Sequence, residues 1–399
     1  MSNCFRFALL ICTCCVLSGP VRGESSKDTP WLRWSLLQYP DADLNNDGVL
    51  TLEEAQAYPQ KPPVTAENVQ RPIKDFTSPS GEARRRVRPS YETEIFVPTA
   101  EQLSAAMQAE SPNTPKSPLQ VPKGHGLRIL STGHSWVAPA VKTLPFIARA
   151  AGYTDQQIRS HTSGGGTGSA NSIWRKELGQ YGEDPARTIL LPAVATGEWD
   201  VMTWGTFHGD RLEHYTQWID VCLAKNPDMK FYIQDGWVTY TPELKALDNE
   251  AALSRLDERH RESPFRLVPL FTELQNRYPG KVHVIAAGEA VLEMLHLYYD
   301  GQLPDLDCVS EHLGGTSGIF LDGGHFSRTS GLEWLDGYVY FATLYGQSPA
   351  LIRDWQPPNV APQLDQAMRA AAWKAVCRSP FSGITDKDGD GHADKPAGE

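Results

Sequence analysis

From about residue 126 onward the sequence alternates short apolar runs with longer amphipathic stretches, and this rhythm most narrows the folds open to it. The runs LRILSTG (127–133), QIRSHTS (157–163), WDVMTWG (199–205), KFYIQDGW (230–237) and VHVIAAG (282–288) have the length of buried strands. Between them lie stretches of helical spacing such as RLEHYTQWIDVCLAK (211–225) and AALSRLDERHRE (251–262). Strands separated by helices predict a three-layer α/β/α domain with a mainly parallel, five-stranded sheet covered on both faces. Right-handed crossovers then gather the functional loops at the carboxyl ends of the strands.

The chain around this domain divides into distinct zones. Arg6, the apolar run FALLICTCCVLSG and VRG before Glu24 read as a secretory signal peptide over 1–23, too short to span a bilayer comfortably. Its removal leaves no stable membrane span and implies a secreted, periplasmic or cell-surface protein. Residues 24–60 form a short helical segment around an acidic loop. Residues 61–124, rich in Pro, Ser and charge, read as linker with one helix at TAEQLSAAMQAE. The α/β domain is placed at 125–378 and an Asp-rich tail at 379–399.

A net charge of −11 disfavours nucleic acid as a partner. The basic run RRRVR (84–88) reads as solvated linker. Four of the seven cysteines leave with the signal, and Cys222, Cys308 and Cys377 remain, which allows one disulfide at most. No Cys/His cluster has zinc spacing.

Ser135 closes the first strand in ILSTGHSWVAPA, and whether it is a nucleophile or an ordinary helix-capping serine depends on its partners. Val137 stands where a Gly-x-Ser-x-Gly elbow has glycine, so the α/β-hydrolase pattern is absent. Late in the chain, DGGH (322–325) places Asp322 three residues before His325, ahead of a helix whose N-cap falls at Ser327 or Thr329. A carboxylate at that spacing reaches imidazole Nδ1 and turns Nε2 toward a serine. The intervening glycines relax the turn. Trp136, Trp174, Trp204 and Trp237 all fall near strand ends, where they serve either as a sugar-stacking platform or as core, with Trp136 the best placed for stacking.

In this ordered set the chain resembles the SGNH (GDSL-type) hydrolases. GHS (133–135) stands where that family has Gly-Asp-Ser, SGGGTGS (163–169) is similar to its glycine-bearing second block, and DGGH matches its Asp-x-x-His block. The resemblance covers roughly 126–350. It is closer to a secreted bacterial branch that opens on Gly-His-Ser and carries an LAKNP helix. The resemblance implies a flavodoxin-like sheet, Ser135 as nucleophile, His325 as general base and Asp322 as its orienter. It implies an oxyanion hole from the amides of Ser135 and of Gly165 or Gly166, and O-acyl, especially O-acetyl, carbohydrate as substrate. Two departures stand out. His134 replaces the family's Asp, and the third block reads WGTFHGD (204–210), with Phe207 where an oxyanion-binding Asn belongs. Asn171, His208 and Gln234 are the candidate substitutes.

Two loops carry calcium signatures. DLNNDGVLTLEE (43–54) fits an EF-hand loop, with Asp43, Asn45 and Asp47 at positions 1, 3 and 5 and Gly48 at the turn. Val49 supplies a carbonyl, Thr51 the ninth position and Glu54 the bidentate carboxylate. DKDGDGHAD (386–394) repeats the logic with Asp386, Asp388, Asp390 and Asp394, but its twelfth position is Ala397. Ca2+ is therefore the expected ion, in a stabilising rather than sensing role. Taken together, these features predict a secreted serine esterase acting on acylated carbohydrate. The competing reading is a catalytically degenerate, calcium-stabilised glycan-binding protein.

Overall fold

The structure, a computed structural model, describes residues 25–27, 36, 43–51, 53–54, 94–109, 126–180, 188–263 and 265–394. The signal-peptide assignment, most of the residues flanking the first acidic loop and the basic run lie outside the described residues. Two units are distinguished, 1–88 and 89–399. In the first, the described residues centre on the acidic loop, where Ser26 N donates to the Leu50 carbonyl (2.8 Å) and Leu50 N to Ser26 Oγ (2.9 Å).

The second unit opens with α1 (Ala100–Gln108) and continues as β1 (Arg128–Gly133), α2 (Ala138–Ala150), β2 (Gln157–Thr162), α3 (Ala170–Glu177), α4 (Leu190–Ala195) and β3 (Val201–Gly205). Then come α5 (Leu212–Lys225), β4 (Lys230–Gln234), α6 (Pro242–Lys245), α7 (Asn249–Arg261), α8 (Val268–Arg277), β5 (Val282–Ile285) and α9 (Ala287–Tyr299). Two short strands, β6 (Cys308–Ser310) and β7 (Gly318–Phe320), precede α10 (Glu333–Tyr345) and α11 (Pro362–Arg378).

The five strands of the main sheet are all parallel, in the order β2-β1-β3-β4-β5. Each coincides with one of the five apolar runs. Successive residues along a strand face opposite layers, and both layers here are cores. Ile129, Val201, Tyr232 and Ile285 pack under α2, α9, α10 and α11. Leu130, Met202, Phe231 and Val284 pack under α3, α4, α5 and α8. Burial on both faces is what makes β1, β3, β4 and β5 read as largely continuous apolar runs, whereas the edge strand β2, QIRSHT, is only partly buried. The chain is thus a three-layer α/β/α fold. In this strand order the topological switch falls between β1 and β3, where an open α/β sheet leaves a crevice beyond its carboxyl ends.

Two boundaries differ from the sequence reading. Residues 94–108, assigned to the linker, are docked on the domain: Trp174 Nε1 donates to the Phe96 carbonyl (3.1 Å), Asn171 Nδ2 to the Glu94 carbonyl (2.9 Å), and α1 packs against α4. The α1 helix was legible, and Thr99 and Gln102 close it with a capping box. The tail is likewise part of the fold. The Phe381 carbonyl accepts Val284 N (2.9 Å) and Gln275 Nε2 (3.0 Å) at the edge of β5, and residues 391–393 pair with Gly346–Ser348.

Ending the chain at residue 378 would leave the buried Val284 amide without its acceptor. We expect a loss of about 1–3 kcal/mol from that group, read as a lower Tm of the truncated protein in a thermal melt.

Candidate active site

Ser135 lies in a turn between β1 and α2, exposed, with Val137 N closing back on the His134 carbonyl (3.1 Å). The turn is held from beneath. His134 is buried, its Nε2 2.7 Å from the Thr206 carbonyl, and its Nδ1 accepts the Trp136 amide (3.4 Å). That pairing places the proton on Nε2. Burial lowers the pKa of this imidazole, with the Thr206 carbonyl opposing, so a neutral ring joins the ends of β1 and β3. The His134 departure is therefore a brace for the turn that carries Ser135. Ser135 is not among the described residues with left-handed backbone, in line with the missing elbow pattern.

His325 Nε2 stands 2.9 Å from Ser135 Oγ, and its Nδ1 stands 2.8 Å from Asp322 Oδ2. The Asp322 Oδ1 atom accepts the amides of Gly324 (2.8 Å) and His325 (2.7 Å). Burial pushes the Asp322 carboxyl up, but these hydrogen bonds outweigh it and hold it well below the usual carboxylate range. The hydrogen bond to Asp322 in turn raises the pKa of His325, against partial burial. Three side chains far apart in sequence thus form one hydrogen-bonded line at the carboxyl end of the sheet.

The loop carrying Asp322 and His325 leaves β7 of a small parallel pair, not a strand of the main sheet. Its glycines answer to close approach. A Cβ on Gly323 would sit 2.8 Å from the Tyr240 carbonyl oxygen, and Trp237 Nε1 donates to the Gly324 carbonyl (2.9 Å). Neither glycine has a positive φ, so the expectation that they relax the turn is corrected. The following helix begins at Glu333 after Leu332, with no side-chain cap. Ser327 is not its N-cap because its hydroxyl bonds Glu311 and accepts Ser330 N (3.1 Å); Thr329, too, lies several residues short of the helix.

The glycine turn after β2 presses against the same strand end. Ser163 N donates to the Gly133 carbonyl (3.0 Å), and a Cβ on Gly168 would lie 2.5 Å from that oxygen. A chain of donors from Lys176 Nζ to Ser163 Oγ, to Thr167 Oγ1 and to the Gly164 carbonyl, 2.7 Å at each step, holds the turn. Gly165 takes a left-handed conformation (φ 54°) and is exposed. Among the described residues the amides of Ser135, Gly165 and Gly166 meet no acceptor. Donors left open in this way are what a developing oxyanion requires.

The third block contributes no such donor from Phe207. Its ring packs on His134, His208 and Phe265, and its amide donates to Asp210 Oδ2 (2.8 Å). Asn171 is committed to Glu94 and Gln217, and Gln234 lies buried beneath the turn. His208 is exposed beside Phe207. Of the four tryptophans, Trp174, Trp204 and Trp237 are buried, while Trp136 is half-buried and stacks on Trp237 (4.5 Å, 19°), which stacks on Phe326 (4.7 Å, 23°). Ser135, His325, Trp136, Pro139, Leu321 and Phe326 line a cleft of about 220 Å³.

Sequence reading missed one polar cluster, Gln234 with Asp336 and Tyr340 behind the Ser135 turn. Its only signal is the lone carboxylate Asp336 in the otherwise apolar interior of α10, WLDGYVYFATLY. Burial pushes that carboxyl well above its usual range.

The two acidic loops share one hydrogen-bond pattern. In the first, Asp43 Oδ2 accepts Gly48 N (2.7 Å), Asn45 Oδ1 accepts Asp47 N (2.8 Å) and Asp47 Oδ1 accepts Val49 N (2.8 Å). In the second, Asp386 Oδ2 accepts Gly391 N (3.2 Å), Asp388 Oδ1 accepts Asp390 N (3.3 Å) and Asp390 Oδ1 accepts His392 N (2.7 Å). Gly48 and Gly391, the sixth residues, both have φ of 83°. Glu54 folds back onto Thr51 Oγ1 (2.8 Å) and Asn45 N (3.4 Å), whereas Asp394 accepts Thr385 Oγ1 (2.8 Å) and Lys387 N (3.4 Å). Carboxylate oxygens of Asp386, Asp388 and Asp390 lie within 4.8 Å of one another. Cys222, Cys308 and Cys377 are free thiols, and among the described residues no helix is long and apolar enough to cross a membrane.

No protein-family model and no curated protein matches the sequence. A solved structure of a DUF4886 family protein from Bacteroides uniformis aligns over 63% of this chain and 95% of its own, at 14% identity and a TM-score of 0.41.

The pairing of Asp322 with His325 generates a direct test. The His325 imidazole should titrate above the usual value in an NMR pH series, and Asp322→Asn should lower its midpoint by about 1 unit or more.

Proposed function

We propose that this chain is a secreted serine esterase of the SGNH type, hydrolysing acyl, chiefly O-acetyl, esters on carbohydrate. The observation that carries the reading is the unbroken line from Ser135 Oγ through His325 to Asp322 at the switch point of a parallel sheet. In this mechanism Ser135 Oγ attacks the acyl carbonyl while His325 Nε2 takes its proton. Asp322 holds the Nδ1 proton and stabilises the imidazolium. The amides of Ser135 and of Gly165 or Gly166 receive the oxyanion. His325 then returns its proton to the departing sugar oxygen, and a water activated by the same imidazole releases the acid. Trp136 offers its half-buried face to the sugar ring.

The alternative, a degenerate glycan-binding protein, draws on Phe207, whose ring supplies no oxyanion donor and whose amide is spent on Asp210. Loss of one donor costs on the order of 10²–10³ in rate in other hydrolases. A fluorophosphonate probe separates the two readings, since an activated Ser135 is labelled and a bare binding pocket is not.

Hydrolysis of p-nitrophenyl acetate should fall by about 10³-fold or more in Ser135→Ala and in His325→Ala, with folding intact. Activity that both substitutions leave unchanged would sink the proposal. The reaction needs neutral His325, whose pKa Asp322 raises. The rate should therefore climb with pH along an acidic limb centred above the usual imidazole value, and Asp322→Asn should shift that limb down.

The proposal includes Ca2+ at both acidic loops. The oxygens of Asp43, Asn45, Asp47, Thr51 and Glu54, with the Val49 carbonyl, would hold one ion. Those of Asp386, Asp388, Asp390 and Asp394 would hold the other, which would bind and stiffen the loop without entering the chemistry. The fit rests on the shared hydrogen-bond pattern around a glycine at the sixth residue and, in the tail loop, on the carboxylate oxygens of Asp386, Asp388 and Asp390 lying within 4.8 Å of one another. Calorimetric titration of the mature chain should show two Ca2+ bound. Saturation to about 100 Kd should stabilise the chain by about 2.7 kcal/mol per site, seen as a Tm rise that EDTA reverses. The double variant Asp388→Asn, Asp390→Asn should bind one ion; unchanged stoichiometry would remove the tail loop as a site.

A further inference from the structure

Between the sheet and α10 lies a buried polar cluster, Gln234, Asp336 and Tyr340, each no more than 2% exposed, with the buried hydroxyls of Ser131 and Thr203 beside it on the sheet and Thr203 bonded to Tyr340. Gln234 Nε2 donates to Asp336 Oδ1 (3.0 Å) and to the Trp136 carbonyl (3.4 Å). Asp336 Oδ2 accepts the Ala140 amide (3.0 Å), and the Tyr340 hydroxyl donates to Gln234 Oε1 (3.1 Å). Apart from one another, the amide and the carboxylate therefore bond to the backbone of Trp136 and Ala140, just after Ser135.

The need for such a grip is built into α2. Its N-cap is Val137, which offers no side-chain acceptor, and Pro139 lies in its first turn. The remaining first-turn amides lack intrahelical partners. Asp336 supplies that acceptor from a distant helix, its Oδ2 taking the Ala140 amide. Gln234 orients Asp336 and at the same time fixes the Trp136 carbonyl. With His134 bound to Thr206, the Ser135 turn is gripped on both sides.

Well-packed apolar residues in place of a buried charged or polar network often leave stability unchanged or improved. What they could not do is hold two backbone groups. We infer that Gln234 and Asp336 are positioning residues that set the Ser135 turn, and with it the approach of Ser135 Oγ to His325, with Tyr340 locking the Gln234 amide. The inference deepens the esterase reading and rests on it for its kinetic consequence.

The test compares the mature wild-type chain with Gln234→Leu, Asp336→Asn and Tyr340→Phe, measuring fluorophosphonate labelling rate, kcat and KM on p-nitrophenyl acetate, and near-UV circular dichroism. A misplaced nucleophile costs on the order of 10²-fold. Gln234→Leu should lose that much in labelling rate and kcat with KM unchanged, while Asp336→Asn, which keeps an acceptor for Ala140, loses less. An unchanged labelling rate in a folded Gln234→Leu protein overturns the inference. If Gln234→Leu does not fold, Tyr340→Phe decides: a slower labelling rate at wild-type Tm supports positioning, and an unchanged rate overturns it. If the wild type is not labelled at all, the esterase reading fails, and the ¹⁵N signal of His325 Nε2 then judges positioning alone. Loss of its Ser135 hydrogen bond in the variants supports the inference, and an unaltered signal refutes it.

Discussion

Burial of the five-stranded sheet on both faces is the constraint from which the rest of this domain follows. Each parallel strand must be reached by a crossover, so every strand points the same way and every loop after a strand emerges at one edge. The order β2-β1-β3-β4-β5 then parts the crossovers between β1 and β3. The Ser135 turn, the glycine turn after β2 and the Phe207 turn are the loops leaving β1, β2 and β3, so strand connectivity alone puts three of the candidate blocks side by side. Only the Asp322–His325 loop has to be brought in from outside the sheet, and the β6–β7 pair does this.

Delivery of that loop depends on close backbone approach. Tyr240 N donates to the Gly323 carbonyl (2.8 Å), and the Gly324 carbonyl accepts the indole of Trp237, which is itself one ring in the stack from Trp136 to Phe326. The aromatic stack therefore joins the Ser135 turn to the loop bearing His325. A larger residue at 323 would meet the Tyr240 carbonyl and lift the loop. Asp322 and His325 remain about half exposed, so the line of hydrogen bonds gains its strength from geometry and charge more than from deep burial.

Much of this was legible in the sequence for a definite reason. Continuous apolar runs such as LRILS and KFYI mark strands buried on two faces, and the five strands fell where those runs fell. Ser135, Asp322 and His325 were legible because spacing and order constrain what an imidazole can reach. Contacts made over long sequence distance were not. Asp336 and Ala140 are 196 residues apart, and nothing local to either announces the bond. The docking of residues 94–96 was hidden because backbone carbonyls at Glu94 and Phe96 make it, and a carbonyl leaves no mark in composition. The helix start near 327 was misplaced because a serine signals a cap locally, while tertiary bonding to Glu311 had already claimed it.

The oxyanion side shows how the esterase reading distributes its catalytic work. Side-chain donors such as an asparagine are mobile and must be held, whereas backbone amides are fixed by the turns that present them. In that reading Phe207 stands where a side-chain donor would be expected, and the two turns that present amides are both braced by hydrogen bonds. His134, Gln234 and Asp336 hold one, and the Lys176–Ser163–Thr167 chain holds the other. Preorganised donors stabilise developing charge without reorganisation at the moment of reaction. Bracing of this kind offsets part of what the missing donor would have contributed. On this account the rigidity of the two turns, more than any single side chain, sets how fast Ser135 reacts.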